Sequence, residues 1–375
     1  MVYFDNAATT KPDKAVTLAV CDCMENEFGN PSSLHMLGVK AQAVMDNARK
    51  NIASALMTTP ETIYFTSGAT ESSNLAIKGA AGAYGRRKKR LVTTTVEHSS
   101  VKEIFDSLEK EGYEVIRISP GSDGEFSVDD FTEAVDENTC LISVMLVNNE
   151  TGSILPVKKI FSMAKMKNSE IITHCDAVQA FMKIPVKPAD LKADLISMSA
   201  HKIYGPKGIG ALYVKKGVRL LKQNLGGKQE NNLRGGTEAT PLIAGFGKTV
   251  EMLSGNVNER LAHFEKLRKY SVEKLSGIDG IFINSHENSV PYILNISVKG
   301  IRSEILLHFL EEKEIYVSSG SACSKGAKSG VLAQFGIDPK LEDSALRISF
   351  NHENTKEEID LFVNALLEAQ KRLKR

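Results

Sequence analysis

The sequence predicts an α/β fold whose main sheet is largely parallel and contains seven strands. Short segments rich in β-branched residues alternate with amphipathic segments, a pattern typical of this fold class. The distances between these segments leave room for crossover helices, which parallel neighbours require. The strands are expected at residues 62–66, 90–95, 114–118, 141–147, 170–175, 195–199 and 211–214.

Helices are expected between these strands, for example at residues 40–56, 100–111, 128–135 and 158–166. The pattern changes near residue 240. A helical stretch over 240–275 is expected in two pieces, because Gly245, Gly247 and the Ser254-Gly255 pair interrupt it. Further strands are expected at 292–298, 315–317 and 345–349, and an amphipathic helix at 356–373.

Chain length predicts two domains, because 375 residues exceed one compact core of ordinary size. We place the change near residue 255. Residues 15–255 are expected to form the large domain. Residues 1–14 and 256–375 are expected to form a smaller α+β domain that carries Cys323.

Composition predicts a soluble globular enzyme: 42% of residues are hydrophobic, 25% are charged, and the net charge is +1. A balance this near neutrality gives no reason to expect nucleic acid or a membrane as partner. The N-terminus lacks the pattern of a secretory signal, and five scattered cysteines predict reduced thiols in the cytoplasm. No Cys or His pairs stand at ligand spacing, so no metal site is expected.

The segment at residues 65–71 combines a strand end, small hydroxyl residues, a glycine and the start of a helix near Glu71. Free N–H groups and the helix dipole in such a turn predict a phosphate-binding site. The alternative is an ordinary helix cap supplied by Ser67 or Thr70.

Two further segments place an acid and a lysine directly after apolar strands. Asp176 is expected at the carboxyl edge of the sheet, where it needs a cationic partner such as a pyridinium nitrogen. The alternative is that Asp176 caps a helix. Lys202 precedes a glycine-rich turn, and poor solvation there would favour a Schiff base. The alternative is a lysine that reaches solvent.

The runs Asp176 to Gln179 and Ser199 to Lys202 resemble the class V aminotransferase group of fold-type I pyridoxal-phosphate enzymes. Within that group the sequence is most similar to the cysteine desulfurases. The likeness extends from residues 3–10 to residues 346–349. The order and spacing of these motifs make the resemblance specific.

The resemblance implies a role for each matching residue, with pyridoxal 5′-phosphate as cofactor. Lys202 would carry the cofactor, Asp176 would pair with its ring nitrogen, His98 would stack on the ring, and Gln179 would bond the phenolic oxygen. Asn149 and Arg347 would grip the substrate carboxylate, since guanidinium binds carboxylate as a fork. The phosphate would be held by Ala69, Thr70, Ser199 and His201, with Thr237 reaching the phosphate of a second subunit in a homodimer.

Cys323 decides which chemistry is expected. It follows an apolar strand within Ser318-Ser319-Gly320-Ser321-Ala322-Cys323, a run of small residues that predicts a loop. Nearby lysines would favour its thiolate. An inert surface thiol is the alternative, but this run resembles the segment that bears the desulfurase persulfide.

The expected reaction converts L-cysteine to L-alanine and leaves a persulfide on Cys323. An acceptor protein would take this sulfur for iron–sulfur clusters, thio-cofactors or tRNA thiolation. A selenocysteine lyase is the nearest alternative, and a class V aminotransferase or a non-enzymatic scaffold fits less well. Two departures bear on this expectation: the loop after Cys323 is slightly short, and Lys228, Asn231 and Asn232 replace the usual residues of the segment ending at Thr237.

Overall fold

The computed structural model describes residues 1–86, 88–319 and 330–373. Its largest sheet has seven strands in the order β2-β8-β7-β6-β5-β3-β4. In this sheet β8 runs antiparallel to both neighbours, and the other pairings are parallel. The predicted α/β class with a mainly parallel sheet is therefore confirmed. The strands are β2 (Ile63–Thr66), β3 (Arg90–Thr94), β4 (Glu114–Ile118), β5 (Thr139–Met145), β6 (Ile172–Asp176), β7 (Leu195–Ser199) and β8 (Gly210–Val214).

Helices cover both faces of this sheet. Successive residues of a strand point to opposite faces of the sheet and pack into two different buried apolar clusters. In β3, for example, Leu91 belongs to one cluster and Val92 to the other. The helices of this part are α1 (Lys14–Asn26), α2 (Met36–Ala55), α3 (Ala69–Tyr84), α4 (Ser99–Lys110), α5 (Val128–Ala134), α6 (Val157–Lys167), α7 (Pro188–Leu191), the distorted turn α8 (Gln229–Asn232), and α9 (Thr240–Leu253).

A second, antiparallel sheet is formed mainly by the C-terminal part of the chain, with strands in the order β12-β13-β10-β9. The N-terminal strand β1 pairs in parallel with β11, and Asp5 then bridges to Ser349. The remaining elements are β1 (Val2–Tyr3), α10 (Val257–Ser276), β9 (Ile281–Ile283), β10 (Ile293–Val298), α11 (Ser303–Glu311), β11 (Ile315–Tyr316), β12 (Ser318–Ser319), α12 (Val331–Gln334), α13 (Pro339–Glu342), β13 (Ala345–Ser349) and α14 (Lys356–Leu373). The division near residue 255 stays a prediction.

One local prediction is wrong. Gly245 and Gly247 do not interrupt the helical stretch but lie inside α9, and the break falls between α9 and α10. Both glycines face neighbouring helices closely. A Cβ at Gly245 would lie 2.6 Å from a methyl of Val20, and one at Gly247 would lie 2.5 Å from that of Ala48. These glycines therefore allow α9 to pack tightly on α1 and α2.

His174 lies inside the sheet and joins a chain of buried hydroxyls. Its Nδ1 is 2.7 Å from the Ser143 hydroxyl and its Nε2 is 2.9 Å from the Ser197 hydroxyl, which is also bonded to Ser73. Burial lowers the pKa of His174 to about 3. His174 is therefore a neutral structural group of the sheet.

We predict that His174 makes the fold sensitive to acid. Its folded-state pKa lies below the unfolded value, so the stability it contributes is present above about pH 6.5 and is lost as pH falls toward 3. Between pH 7 and pH 5 this loss amounts to about 2 kcal/mol. His174→Gln should lose correspondingly less stability over that range in urea unfolding, whereas the exposed control His308→Gln should behave like the native chain. Equal pH dependence in native chain and His174→Gln would contradict the prediction.

Candidate active site

A cavity of about 630 Å³ opens at the carboxyl edge of the large sheet. Strands β2, β5, β6 and β7 end there, as expected for ligand sites in parallel sheets. The structure brings most of the predicted site residues together in its lining: Ala69, Thr70, His98, Asn149, Asp176, Gln179, Ser199, His201, Lys202 and Arg347. Their individual roles remain predictions.

Asp176 is the last residue of β6 and is only 5% exposed. Its Oδ1 accepts the Val178 N–H at 2.9 Å, and within the described residues no side chain forms a salt bridge with it. Burial raises the pKa of Asp176 to about 6, opposed by the Val178 hydrogen bond and the positive charge of Lys202. A ring cation placed beside Asp176 would restore its full ionisation.

Glu97 is a second buried carboxyl near Asp176, and its part in the site was not predicted. Its Oε1 accepts the Thr94 hydroxyl at 2.7 Å and the Met145 N–H at 2.9 Å. Burial raises the pKa of Glu97 to about 8, with the charge of Asp176 acting in the same direction and the two hydrogen bonds opposing it. At neutral pH Glu97 is therefore mostly protonated. It ties the loop that carries His98 to the end of β5.

His98 caps α4 and presents its ring to the cavity. Its Nδ1 accepts the Ser100 N–H at 3.1 Å and lies 2.8 Å from the Ser100 hydroxyl. This arrangement places the ring proton on Nε2. Burial, together with the positive charges of Lys202 and Arg347, lowers the pKa of His98, so a neutral flat ring faces the cavity.

The start of α3 forms one end of the cavity. The N-cap is Gly68 and no side chain caps the helix, so the alternative reading of Ser67 or Thr70 as a plain cap is wrong. A Cβ at Gly210 would lie 2.7 Å from the Gly68 backbone, so glycine is needed for this close approach. The exposed first turn of α3 suits an anion.

Other polar groups surround this end of the cavity. Ser199 and His201 come from the end of β7, and Lys207, which the sequence reasoning missed, lines the cavity as well. Burial and then the charge of Lys202 and other lysines lower the pKa of His201 to about 4. A phosphate here would meet helix N–H groups, a hydroxyl, a neutral imidazole and a cation.

Lys202 ends a short 3₁₀ turn after β7. Its Nζ donates to the carbonyl oxygens of Ala7 at 2.8 Å and Ala8 at 2.7 Å, both in the N-terminal segment. The alternative of a lysine that reaches solvent is therefore wrong, because the amine is bound inside the cavity. The contribution of Ala7 and Ala8 was not predicted.

Gln179 lies one turn after Asp176 and is 4% exposed. Its Nε2 donates to the Ala7 carbonyl at 2.9 Å, and its Oε1 accepts from Lys183 at 3.1 Å. The amide therefore has a defined orientation beside Lys202.

Arg347 enters the cavity from β13. Its guanidinium donates to the Asn149 carbonyl at 2.9 Å, to Asp5 at 3.0 Å and to the Ser318 hydroxyl at 3.0 Å. The buried Nε has no hydrogen-bond partner in the described parts of the chain. Asn149 touches Arg347 through its backbone rather than its side chain. The guanidinium lines the cavity, where a carboxylate ligand would meet its positive charge.

Thr237 does not line the cavity of its own chain and is exposed. It follows a segment of residues 226–236, the rim loop, which contains the predicted departures. Glu230, Asn231 and Asn232 have positive φ values of 47°, 52° and 64°. Asparagine tolerates this left-handed backbone better than most residues do.

Two ion pairs fix the rim loop, one to α2 and one to the start of α3. Buried Glu230 pairs with Arg49 at 2.7 Å and accepts the Phe65 N–H at 2.8 Å. Arg234 pairs with Glu71 at 2.8 Å, and Glu71 also accepts the Ser67 N–H at 2.7 Å. The rim loop is thus fixed to the same turn that forms the predicted phosphate site.

Cys323 and its flanking residues lie outside the described residues, so its expected position is not tested. Among the described cysteines, Cys21 is exposed, whereas Cys23, Cys140 and Cys175 are buried. Burial raises the pKa of Cys140 to about 11 and also raises those of Cys23 and Cys175, which makes these three weak nucleophiles. The described residues contain no cluster suited to a metal ion, and no helix among them could cross a membrane.

Pyridoxal phosphate fits the residues of this cavity. Asp176 offers a buried carboxylate in need of a cation, and Lys202 offers an amine within the cavity. The glycine-lined turn at α3 offers space for a phosphate.

Comparisons with known proteins agree on one family. Residues 2–362 match the family described as aminotransferase class-V. The chain is 40% identical to the cysteine desulfurase IscS of Neisseria meningitidis serogroup C over 364 residues, covering 96% of this chain and 89% of that protein. It is 40% identical to the IscS of Vibrio atlanticus over 381 residues, covering 100% and 93%. A solved structure described as a NifS-like protein is 38% identical, with a TM-score of 0.94 over 99% of this chain and 100% of that one.

We predict that the Arg49–Glu230 ion pair is important for stability because it is buried. Arg49→Met leaves the Glu230 carboxylate, whose side chain is 1% exposed, without its cation. This should lower the free energy of unfolding by about 3–5 kcal/mol. Adding Glu230→Gln removes the charge, keeps an acceptor for Phe65 and should restore more than half of the loss in urea unfolding.

The matched control is Lys102→Met, which breaks an exposed pair with Asp106 and should cost about 0.5 kcal/mol or less. If Arg49→Met were as mild as this control, or if Glu230→Gln added to the loss, the burial argument would be wrong.

Proposed function

Because the chain belongs to the aminotransferase class-V family and is a pyridoxal-phosphate-dependent cysteine desulfurase, we propose that the cavity at the sheet edge is its active site and that Cys323 receives the sulfur of L-cysteine. The observation that carries this proposal is the buried Asp176 carboxylate facing a cavity that also contains Lys202. A carboxylate in that position is stable in its charged form only beside a cation.

Different residues of the cavity would bind different parts of the cofactor. Lys202 would hold it covalently, Asp176 would keep its ring nitrogen protonated, and the neutral ring of His98 would pack on its face. Gln179 would donate to its phenolic oxygen. The phosphate would be held by Ala69, Thr70, Ser199 and His201. When bound, the cofactor withdraws electrons from the substrate and so makes its Cα proton acidic.

Lys202 and Arg347 would handle the substrate. Arg347 would bind its carboxylate through the guanidinium, which lines the cavity and is held in place by Asp5, Ser318 and the Asn149 carbonyl. Lys202, whose amine lies in the same cavity, would remove the Cα proton of the substrate. The Ala7 and Ala8 carbonyls, which bind its amine, would stabilise the protonated form.

Cys323 would complete the sulfur transfer as a thiolate. Its Sγ forms a bond with the substrate sulfur while the bond between that sulfur and the substrate Cβ breaks. The electron pair goes to Cβ, which takes up a proton, and Lys202 returns a proton to Cα, so alanine leaves and Cys323 becomes a persulfide. An acceptor protein would then take the sulfur, for iron–sulfur clusters or for thiolation of cofactors or tRNA, in the cytoplasm.

We predict that purified protein converts L-cysteine to alanine in the presence of a reductant. Cys323→Ser should bind the cofactor normally but form almost no alanine, because no thiolate attacks the sulfur. Lys202→Ala should also be inactive and should lose the covalent attachment. Alanine would be quantified by chromatography. If native protein that carries the cofactor makes little alanine from cysteine, the substrate assignment fails, and selenocysteine is the next substrate to test.

The exposed position of Thr237 supports a homodimer in which each chain completes the phosphate site of the other. The rim loop is anchored to its own chain by Arg49–Glu230 and Glu71–Arg234, yet Thr237 stays outside its own cavity. A second copy of the chain would bring the threonine hydroxyl to the phosphate.

We predict that Thr237 acts across subunits. In mixed dimers with two affinity tags, one subunit carries Lys202→Ala, so only the other binds cofactor covalently. Thr237→Ala placed on the Lys202→Ala subunit should weaken cofactor retention about tenfold, the effect of one hydrogen bond to a charged group. The same substitution on the cofactor-binding subunit should have no effect. The reverse pattern, measured by dialysis, would show that Thr237 serves its own chain.

A further inference from the structure

Lys183 contacts Gln179, a residue of the cavity, but has no role in the proposed mechanism. It lies one helical turn beyond Gln179 and is half-buried. Its Nζ donates to the Gln179 Oε1 at 3.1 Å and lies 5.0 Å from the centre of the Tyr292 ring. It forms no salt bridge with any residue that the structure describes.

The position of Lys183 disfavours the charged form of its amine. Burial, together with the positive charges of Lys202 and Arg347, lowers the pKa of Lys183 to about 7. The amine donates hydrogen bonds in both its charged and its neutral form. Its contact with Gln179 therefore persists across neutral pH.

The surroundings of Gln179 fix which end of its amide faces which neighbour. The Ala7 carbonyl can only accept a hydrogen bond, so the amide nitrogen must face it at 2.9 Å. The ammonium form of Lys183 can only donate, so the amide oxygen must face Lys183. One N–H of the Gln179 amide then remains for a ligand, and Gln179 lines the cavity.

Tyr292 also contacts both Gln179 and Lys183. Its hydroxyl donates to the backbone carbonyl of Gln179 at 2.8 Å, while its ring supports the Lys183 amine. Tyr292 is fully buried. The backbone and the side chain of Gln179 are thus fixed by one tyrosine and one lysine.

We propose that Lys183 is a positioning residue that acts through Gln179, holding the amide with its nitrogen toward the phenolic oxygen of the cofactor. Without Lys183 only the Ala7 carbonyl opposes a turn of the amide that would place its oxygen against the cofactor oxygen, where two acceptors repel each other. This inference rests on the proposed function of the cavity. It adds a residue that does not touch the cofactor itself.

The test compares Lys183→Met with Lys183→Arg in the loaded enzyme. Lys183→Met should weaken cofactor affinity about tenfold, as expected for a lost hydrogen bond to a strongly polar partner. It should also change the visible absorption spectrum of the bound cofactor, because the ring oxygen loses its donor. Lys183→Arg, which retains a donor, should restore both properties. The exposed Lys216→Met serves as a control for the loss of a lysine and should leave both unchanged.

A double-substitution cycle tests whether Lys183 acts through Gln179. Gln179→Ala alone should weaken the cofactor and change its spectrum, and Lys183→Met should then add nothing further. If Gln179→Ala has its effect but Lys183→Met weakens the cofactor equally in both backgrounds, Lys183 acts in another way and the inference falls. If Gln179→Ala has no effect, the role proposed for Gln179 falls as well, so the two failures are distinguishable.

Discussion

The site depends on one constraint: a carboxylate buried at the end of a central strand is stable only beside a positive charge. Asp176 meets this condition incompletely within its own chain, since one backbone N–H and the nearby Lys202 are its main favourable contacts. Burial therefore raises its pKa, and a ring cation would reverse the shift. The neighbouring Glu97 stays protonated instead, mainly because burial disfavours its charged form and also because the charge of Asp176 repels it. Asp176 is thus a buried carboxylate poised for a cationic ring.

Both ends of the chain contribute residues to the cavity at the edge of the large sheet. The N-terminal segment pairs with β11 and then supplies the Ala7 and Ala8 carbonyls to Lys202. The C-terminal sheet supplies Arg347, which reaches the same cavity from β13. Asp5 binds Arg347 across a separation of 342 residues and so joins the two ends beside the cavity. The N-terminal segment therefore contacts both Lys202 and Arg347, the residues proposed to hold the cofactor and the substrate.

The sequence predicts the groups whose placement follows from local rules. Asp176 and Lys202 directly follow apolar strands, and the edge of a parallel sheet brings such residues together. Glu97, Lys183 and Asp5 were not predicted, because their importance depends on partners distant in the chain and on burial. Gly245 and Gly247 were misjudged for the same reason: propensity marks them as helix breakers, whereas packing against α1 and α2 makes them part of α9.

The most direct test of the account measures the protonation of the cofactor ring beside Asp176. Protein loaded with pyridoxal phosphate labelled with nitrogen-15 in its ring would be studied by NMR near neutral pH, alongside Asp176→Asn. We expect the native protein to show a protonated ring nitrogen and the variant an unprotonated one, because only a carboxylate stabilises the ring cation. An unprotonated nitrogen in the native protein, or the same signal in both, would contradict the account.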